Sequence, residues 1–169
     1  MKNFIKKIIK KLFNHGIDTR TNVETKIAQL NLYLNYQKLL QNGKYFPSLK
    51  EVGFKCFSQF EEDGLLLYIF ALIGFESKIF VDIGAGDGIN SNCANLALNW
   101  GLTGLFIDGN PNSIANGNEF YSKHPNTWAY PPKFLNAFIK TENINELISS
   151  KGISGEIDFL SIDIDGNDY

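Results

Sequence analysis

The sequence predicts an α/β fold built on a parallel sheet. Three observations carry this. Lys78–Ile83 is a short apolar run without alternation, the pattern of a strand buried on both faces, and Gly84-Ala85-Gly86-Asp87-Gly88 follows it directly. A second run, Gly104–Asp108, ends in an acid. A third, Ile157–Ile164, runs into more acids, and helical patterns separate the three.

The elements follow in chain order. Phe4, Ile8 and Leu12, with Ile5, Ile9 and Phe13, form one apolar stripe on a helix, and Lys2, Lys6, Lys7, Lys10 and Lys11 flank it. Such a segment suits either a peripheral contact with an anionic membrane, at the inner membrane surface, or packing on a protein surface. His15-Gly16 reads as its stop. The next helix spans Val23 to Gln41, with Ile27, Leu30, Leu34 and Leu39 as its apolar face and Gly43 and Pro47 closing it. Residues 43–56 form a connector. A largely buried helix follows from Asp63 to Phe75, stopping at Gly74. After the first strand and its glycine turn, Ser91 or Asn92 caps a helix that runs to Trp100. Residues 112–123 are a helix softened by Gly117, 128–132 a loop, and Lys133–Ile139 the third strand. Thr141 or Asn143 starts the helix Ile144–Ser150, which Gly152 ends.

Composition narrows the function. With 169 residues, 44% hydrophobic and 20% charged, the chain has the size and balance of one globular domain. The net charge of −2 is uneven. Residues 1–20 hold six basic side chains against Asp18, a net +5, and the rest hold 10 basic and 17 acidic, a net −7. That acidic body lacks the basic face of a nucleic-acid binder. Cys56 and Cys93 lack metal-ligand spacing and read as reduced thiols of a cytoplasmic protein. His15 and His124 sit in linkers and are expected in solvent. Lysines interrupt the N-terminal apolar residues, so no secretory signal forms.

Strand, glycine turn and helix together make a nucleotide-type unit, in which glycines admit a ligand close to the backbone and the helix start offers oriented N–H groups. A dinucleotide fingerprint needs a small residue where Ile89 stands, which argues against a nicotinamide oxidoreductase, and no P-loop lysine is present. Asp108, 24 positions after Gly84 at the tip of the second strand, is placed to accept hydrogen bonds from ribose hydroxyls. Asp163, Asp165 and Asp168 cluster at the carboxyl end of strand four, where mutual repulsion favours a base and oxygen ligands suit a hard divalent cation.

Several motifs recur in order: Phe57-Ser58-Gln59-Phe60 with Asp63, Phe80–Ala85 with Asp87-Gly88, Ser91-Asn92, Trp100-Gly101, Gly104-Leu105 with Ile107-Asp108, Asn110-Pro111, and Ile157–Gly166. Together they resemble the FkbM-type branch of class I S-adenosylmethionine (SAM) methyltransferases, over residues 57–169 and not over the helical extension 1–56. The resemblance implies a Rossmann-like methyltransferase fold and methyl transfer from SAM to a hydroxyl, often on a sugar. It puts Gly84, Ala85 and Gly86 along the methionine half of SAM and Asp82 behind the turn, anchoring it or reaching the amino group through water. Ser58 and Gln59 would cover the cofactor, and Ala137 and Phe138 would lie beside adenine. Asp163 and Asp165 would be catalytic, with Asp163, Asp165 and Asp168 as candidates for a divalent metal. The family usually carries Glu at the positions of Asp108 and Asp165; Asp keeps the charge and loses one methylene of reach. Thr141–Leu147 resembles a sub-branch found among bacterial surface-polysaccharide proteins. The sheet of that class has seven strands in the order 3-2-1-4-5-7-6, and this chain supplies four, which implies the half-sheet 3-2-1-4 with strand four an exposed apolar edge, so a truncated SAM-binding module without catalysis is the alternative expectation.

Overall fold

The structure, a computed structural model, describes residues 23–43 and 45–164. The basic amphipathic stretch 1–13, His15, Asp165 and Asp168 lie outside these residues. The elements are α1 (Val23–Gln41), a 3-10 turn (Leu49–Glu51), α2 (Glu62–Ile73), β1 (Ile79–Ile83), α3 (Ala94–Trp100), β2 (Thr103–Asp108), α4 (Pro111–Lys123), β3 (Lys133–Asn136), α5 (Ile144–Ser150) and β4 (Phe159–Ile162). The strands pair in parallel in the order β3-β2-β1-β4.

This is the α/β, Rossmann-like arrangement expected, and burial explains it. Phe80, Val81, Asp82 and Ile83 of β1 are all buried, so the central strand needs cover on both faces. Phe80 and Phe106 point to one face, where Leu96, Ala97 and Tyr121 from α3 and α4 meet Phe57 and Phe70. Val81, Ile83, Leu105 and Ile107 point to the other, packed with Ile144, Ile148 and Ile153. The crossovers through α3 and α4 thus cover one face and the crossover through α5 the other. A third cluster joins α1 to α2 through Tyr36, Val52, Leu67, Tyr68 and Ala71, so the N-terminal helix shares a core with the strand-bearing part.

Several expectations are corrected. In α1, Ile27, Leu30 and Leu34 face outward, while Gln29, Tyr33 and Tyr36 face in with Leu39. The Gln29 amide decides this: Nε2 donates to Asn95 Oδ1 at 3.2 Å, and Oε1 accepts from Trp100 Nε1 at 2.9 Å. Tyr33 lies against Trp100 and Tyr36 against Tyr68. Neither Ser91 nor Asn92 caps α3; the cap position is Cys93, whose side chain makes no capping bond, and Ser91 Oγ lies 3.4 Å from Gly88 O and beside the Asp82 carboxylate instead. His124 is buried, its ring against Phe120 and its Nδ1 accepting from the Asn126 N–H. β3 and β4 are shorter than expected. β4 starts late because Asp158 turns its carboxylate to the N–H groups of Glu76, Ser77 and Lys78 at 2.8–3.1 Å. Burial raises the Asp158 pKa and those backbone donors lower it, with a net shift below the ordinary carboxylate range.

One glycine is set by crowding between strands. Gly84 leaves β1 at φ +79°, and a Cβ there would overlap the carbonyl group of Asp163 at the end of β4. Gly84→Ala should therefore destabilise the fold by about 2–4 kcal/mol, through a strained backbone and a displaced β4 end. Urea unfolding measures this, and an unchanged midpoint would refute the crowding.

Candidate functional site

The carboxyl ends of all four strands open onto one cleft of about 540 Å³. Its lining comes from Ile83 and Gly84 after β1, Ile107–Asn110 after β2, Ala137–Ile139 after β3, and Asp163 and Ile164 after β4. From β1 the chain crosses to β2 on one side, and from β3 it crosses back past both to β4 on the other, the switch in strand order at which such a sheet forms a crevice.

Asp108 organises the cleft. Its Oδ2 accepts from the Gly86 N–H at 2.9 Å and its Oδ1 from the Asn110 N–H at 2.7 Å. The Gly84 and Ala85 N–H groups donate to Ile107 O at 2.9 and 3.2 Å. The glycine turn is thereby fastened to the tip of β2. Each carboxylate oxygen has a second lone pair, and Asp108 lines the cleft, so it can accept further hydrogen bonds from a ligand. Gly86 adopts φ +59°, and nothing lies within 4 Å of the place its Cβ would occupy, which leaves open backbone beside the carboxylate.

Past Asp108 the chain turns into α4. Asn110 caps it, Oδ1 accepting from Asn112 N–H at 3.0 Å and Ser113 N–H at 3.4 Å, with Pro111 at the first helical position. Gly109 admits the Phe138 ring: a Cβ there would lie 2.5 Å from Phe138 Cε1. Phe138 is otherwise 78% exposed, a large flat apolar surface at the cleft wall without core partners to explain it. The Asp108 carbonyl accepts from Ala137 N–H and Asn136 Nδ2, which holds this wall against β2.

The cleft therefore gathers Gly84, Asp108, Ala137, Phe138 and Asp163 from among the residues singled out in sequence. Asp163 is exposed at the end of β4, its N–H donating to Ile83 O at 2.9 Å. Ala85 and Gly86 stand behind the lining, Gly86 one hydrogen bond from it through Asp108. Ser58 and Gln59 do not line it. Ser58 is fully buried: its Oγ accepts from the Asp63 N–H, and Asp63 Oδ2 collects the N–H groups of Cys56, Phe57 and Ser58 at 2.6–3.0 Å. Gln59 is exposed. Sequence reasoning did not assign Gly109, Asn110, Ile139 or Ile164 to the site, although Asn110 and Ile164 lie within its motifs. Their signal was positional, since each follows the carboxyl end of a strand. Among the described residues, no group of three or more His, Cys, Asp or Glu is arranged to hold a metal ion.

Asp82 lies under the turn rather than in the cleft. It is buried, and its Oδ2 has no hydrogen-bond partner among the described residues. Burial pushes its carboxyl up to about 6, against the hydrogen bonds of Ser91, Ser161 and Cys93, which pull it down. The Cys93 thiol is pushed well up by its own burial and then by the Asp82 charge.

A carboxyl whose folded-state pKa is raised binds a proton more tightly when folded. The stability it contributes is complete below the ordinary carboxylate range and is lost as pH rises through about 6. At ~1.4 kcal/mol per pH unit the loss is on the order of 3 kcal/mol. Asp82→Asn should abolish this fall, so urea midpoints of the two proteins should converge at pH 4 and diverge by pH 8 in favour of the variant; parallel pH profiles would refute it. No family model, no curated protein and no solved structure matches this chain.

Proposed function

We propose that the chain is a SAM-binding protein of the methyltransferase type that acts on a hydroxyl of a sugar or polysaccharide. The observation that carries the reading is Asp108, a carboxylate at the tip of β2 that is fastened by two backbone N–H groups and still lines the cleft. Such an acid suits the paired hydroxyls of a ribose.

Charge supports it. Among the described residues the lining holds two acids, Asp108 and Asp163, and no lysine or arginine. A pyrophosphate would find no cation there, whereas a sulfonium ligand without phosphate suits an acidic cleft. Ala137, Phe138 and Ile139 would hold the adenine, Asp108 the ribose, and the glycine turn that enters the lining at Gly84 the methionine portion. SAM would supply an electrophilic methyl group.

The protein's own share of the chemistry is positioning and proton transfer. Asp163, exposed at the end of β4, can hold an acceptor hydroxyl and take its proton as the oxygen attacks.

Calorimetry with SAM and with NAD tests the ligand. Asp108→Ala should weaken SAM binding about 10–100-fold, the value of one or two charge-assisted hydrogen bonds. Undiminished SAM binding, or tight NAD binding in its place, would overturn the reading. Asp163→Asn should keep SAM affinity and lower methyl transfer to sugar acceptors by about 100-fold or more. Equal turnover in that variant would remove Asp163 from the chemistry.

A further inference from the structure

The glycine turn after β1 is held from two sides, and one of them is the inner face of α4. Tyr121 is fully buried, and its OH donates to Gly88 O at 2.6 Å. Gly117 lies four residues earlier on the same face of the helix and is buried as well. A Cβ on Gly117 would overlap the Asp87 carbonyl oxygen and the Phe134 ring. The glycine that interrupts the helical pattern of α4 is therefore the place where this helix meets the turn. Two successive carbonyls, of Asp87 and Gly88, rest on two successive turns of one helix.

The Tyr121 hydroxyl is a fixed donor. Its ring lies among Phe106, Phe120 and Phe134, with centroids 5.1–5.7 Å away. Its carbonyl accepts from Thr127 Oγ1 at 2.6 Å. Burial, and then the neighbouring Cys93, Asp82 and Asp87 groups, hold the phenol well above the ordinary tyrosine pKa, so the OH keeps its proton. Gly88 turns at φ +68°, and the Phe106 ring lies 3.1 Å from the place of its Cβ, which stops the turn from settling further toward the sheet.

The second anchor is Asp108, whose Oδ2 accepts from the Gly86 N–H at 2.9 Å. Both anchors belong to one run of chain, since Asp108 ends β2 and Asn110 caps α4. Tyr121 itself is not in the cleft lining.

We infer that Tyr121 is a positioning residue for the cleft: through Gly88, with Gly117 admitting the close approach, it holds the glycine turn where the Gly86 N–H fixes the Asp108 carboxylate. Without that tie the carboxylate keeps the Asn110 N–H on Oδ1 and loses its second fixed point. A ligand that uses Asp108 must then order it on binding, and affinity falls. The hold on the turn is independent of what binds; its effect on SAM rests on the methyl-transfer reading.

Amide exchange of the unliganded full chain tests the hold alone. Tyr121→Phe should speed exchange at Gly86 and Gly88 by about tenfold or more, and by more than at Val81 in the centre of the sheet. Equal acceleration at all three, or none at the turn, would make Tyr121 a core residue only and overturn the proposal. Gly117→Ala gives a second reading of opposite sign to helix propensity. Alanine favours the helix, yet it should loosen the turn by pressing on the Asp87 carbonyl, so slower or unchanged Gly86 exchange also overturns the proposal.

Calorimetry with SAM then asks whether Tyr121 acts through Asp108. Tyr121→Phe should weaken binding about tenfold in the otherwise unchanged chain and by less than about twofold in the Asp108→Ala background. Equal losses in both backgrounds refute the coupling. A chain that takes up no SAM at all removes the SAM reading, and the exchange rates at Gly86 still decide the role of Tyr121.

Discussion

The close approach of two backbones at Gly84 is the constraint on which the rest of the site depends. β1 is central, and the chain must leave it between β2 and the end of β4 with no space for a side chain toward Asp163. A left-handed residue without a Cβ is what allows β4 to lie alongside β1 through Ile83↔Ile162. With β4 in place, Asp163 and Ile164 close one wall of the cleft. Without it, the cleft would have only the walls that follow β2 and β3.

Three aspartates near that point show how environment separates one side chain into several roles. Asp82 is enclosed and resists ionisation. Asp108 is half-buried and holds two backbone donors. Asp163 is exposed at the cleft wall. Among the described residues, no basic side chain in the lining opposes Asp108 or Asp163. Two further acids, Asp63 and Asp158, each gather three backbone N–H groups outside the cleft and fix the approaches to α2 and β1. The last of these holds Lys78, a non-glycine residue, at φ +55° just before β1 begins.

Much of this was legible from the residues in order. Apolar runs without alternation marked β1 and β2, Gly74 and Gly152 marked the ends of α2 and α5, and the acid after Ile107 marked the cleft. What stayed illegible depends on partners distant in sequence. Periodicity alone assigned Ile27, Leu30 and Leu34 to the core of α1, because it cannot register that Gln29 finds Asn95 and Trp100, 66 and 71 positions away. Asp158 reads as the first polar residue of a strand until Glu76, Ser77 and Lys78 are brought beside it. Ser58 and Asp63 were visible as a motif, but their mutual hydrogen bonds turn it into a clasp of the connector and keep Ser58 away from the cleft. His124 looked like a linker residue because nothing in the local pattern announces that Phe120 folds over it.

The strand order also sets a sequence of events during folding. β1 meets β2 across 24 residues, Val81 to Leu105, and β2 meets β3 across 28, Leu105 to Lys133. β1 meets β4 across 79, Phe80 to Phe159. Loop-closure entropy rises with that separation, and contacts distant in sequence are the slow ones to form. The topology therefore implies that β3-β2-β1 and the helices α3 and α4 assemble first, while β4 joins last. During synthesis, the cleft wall that carries Asp163 would be completed only well after β1, β2 and β3 have left the ribosome.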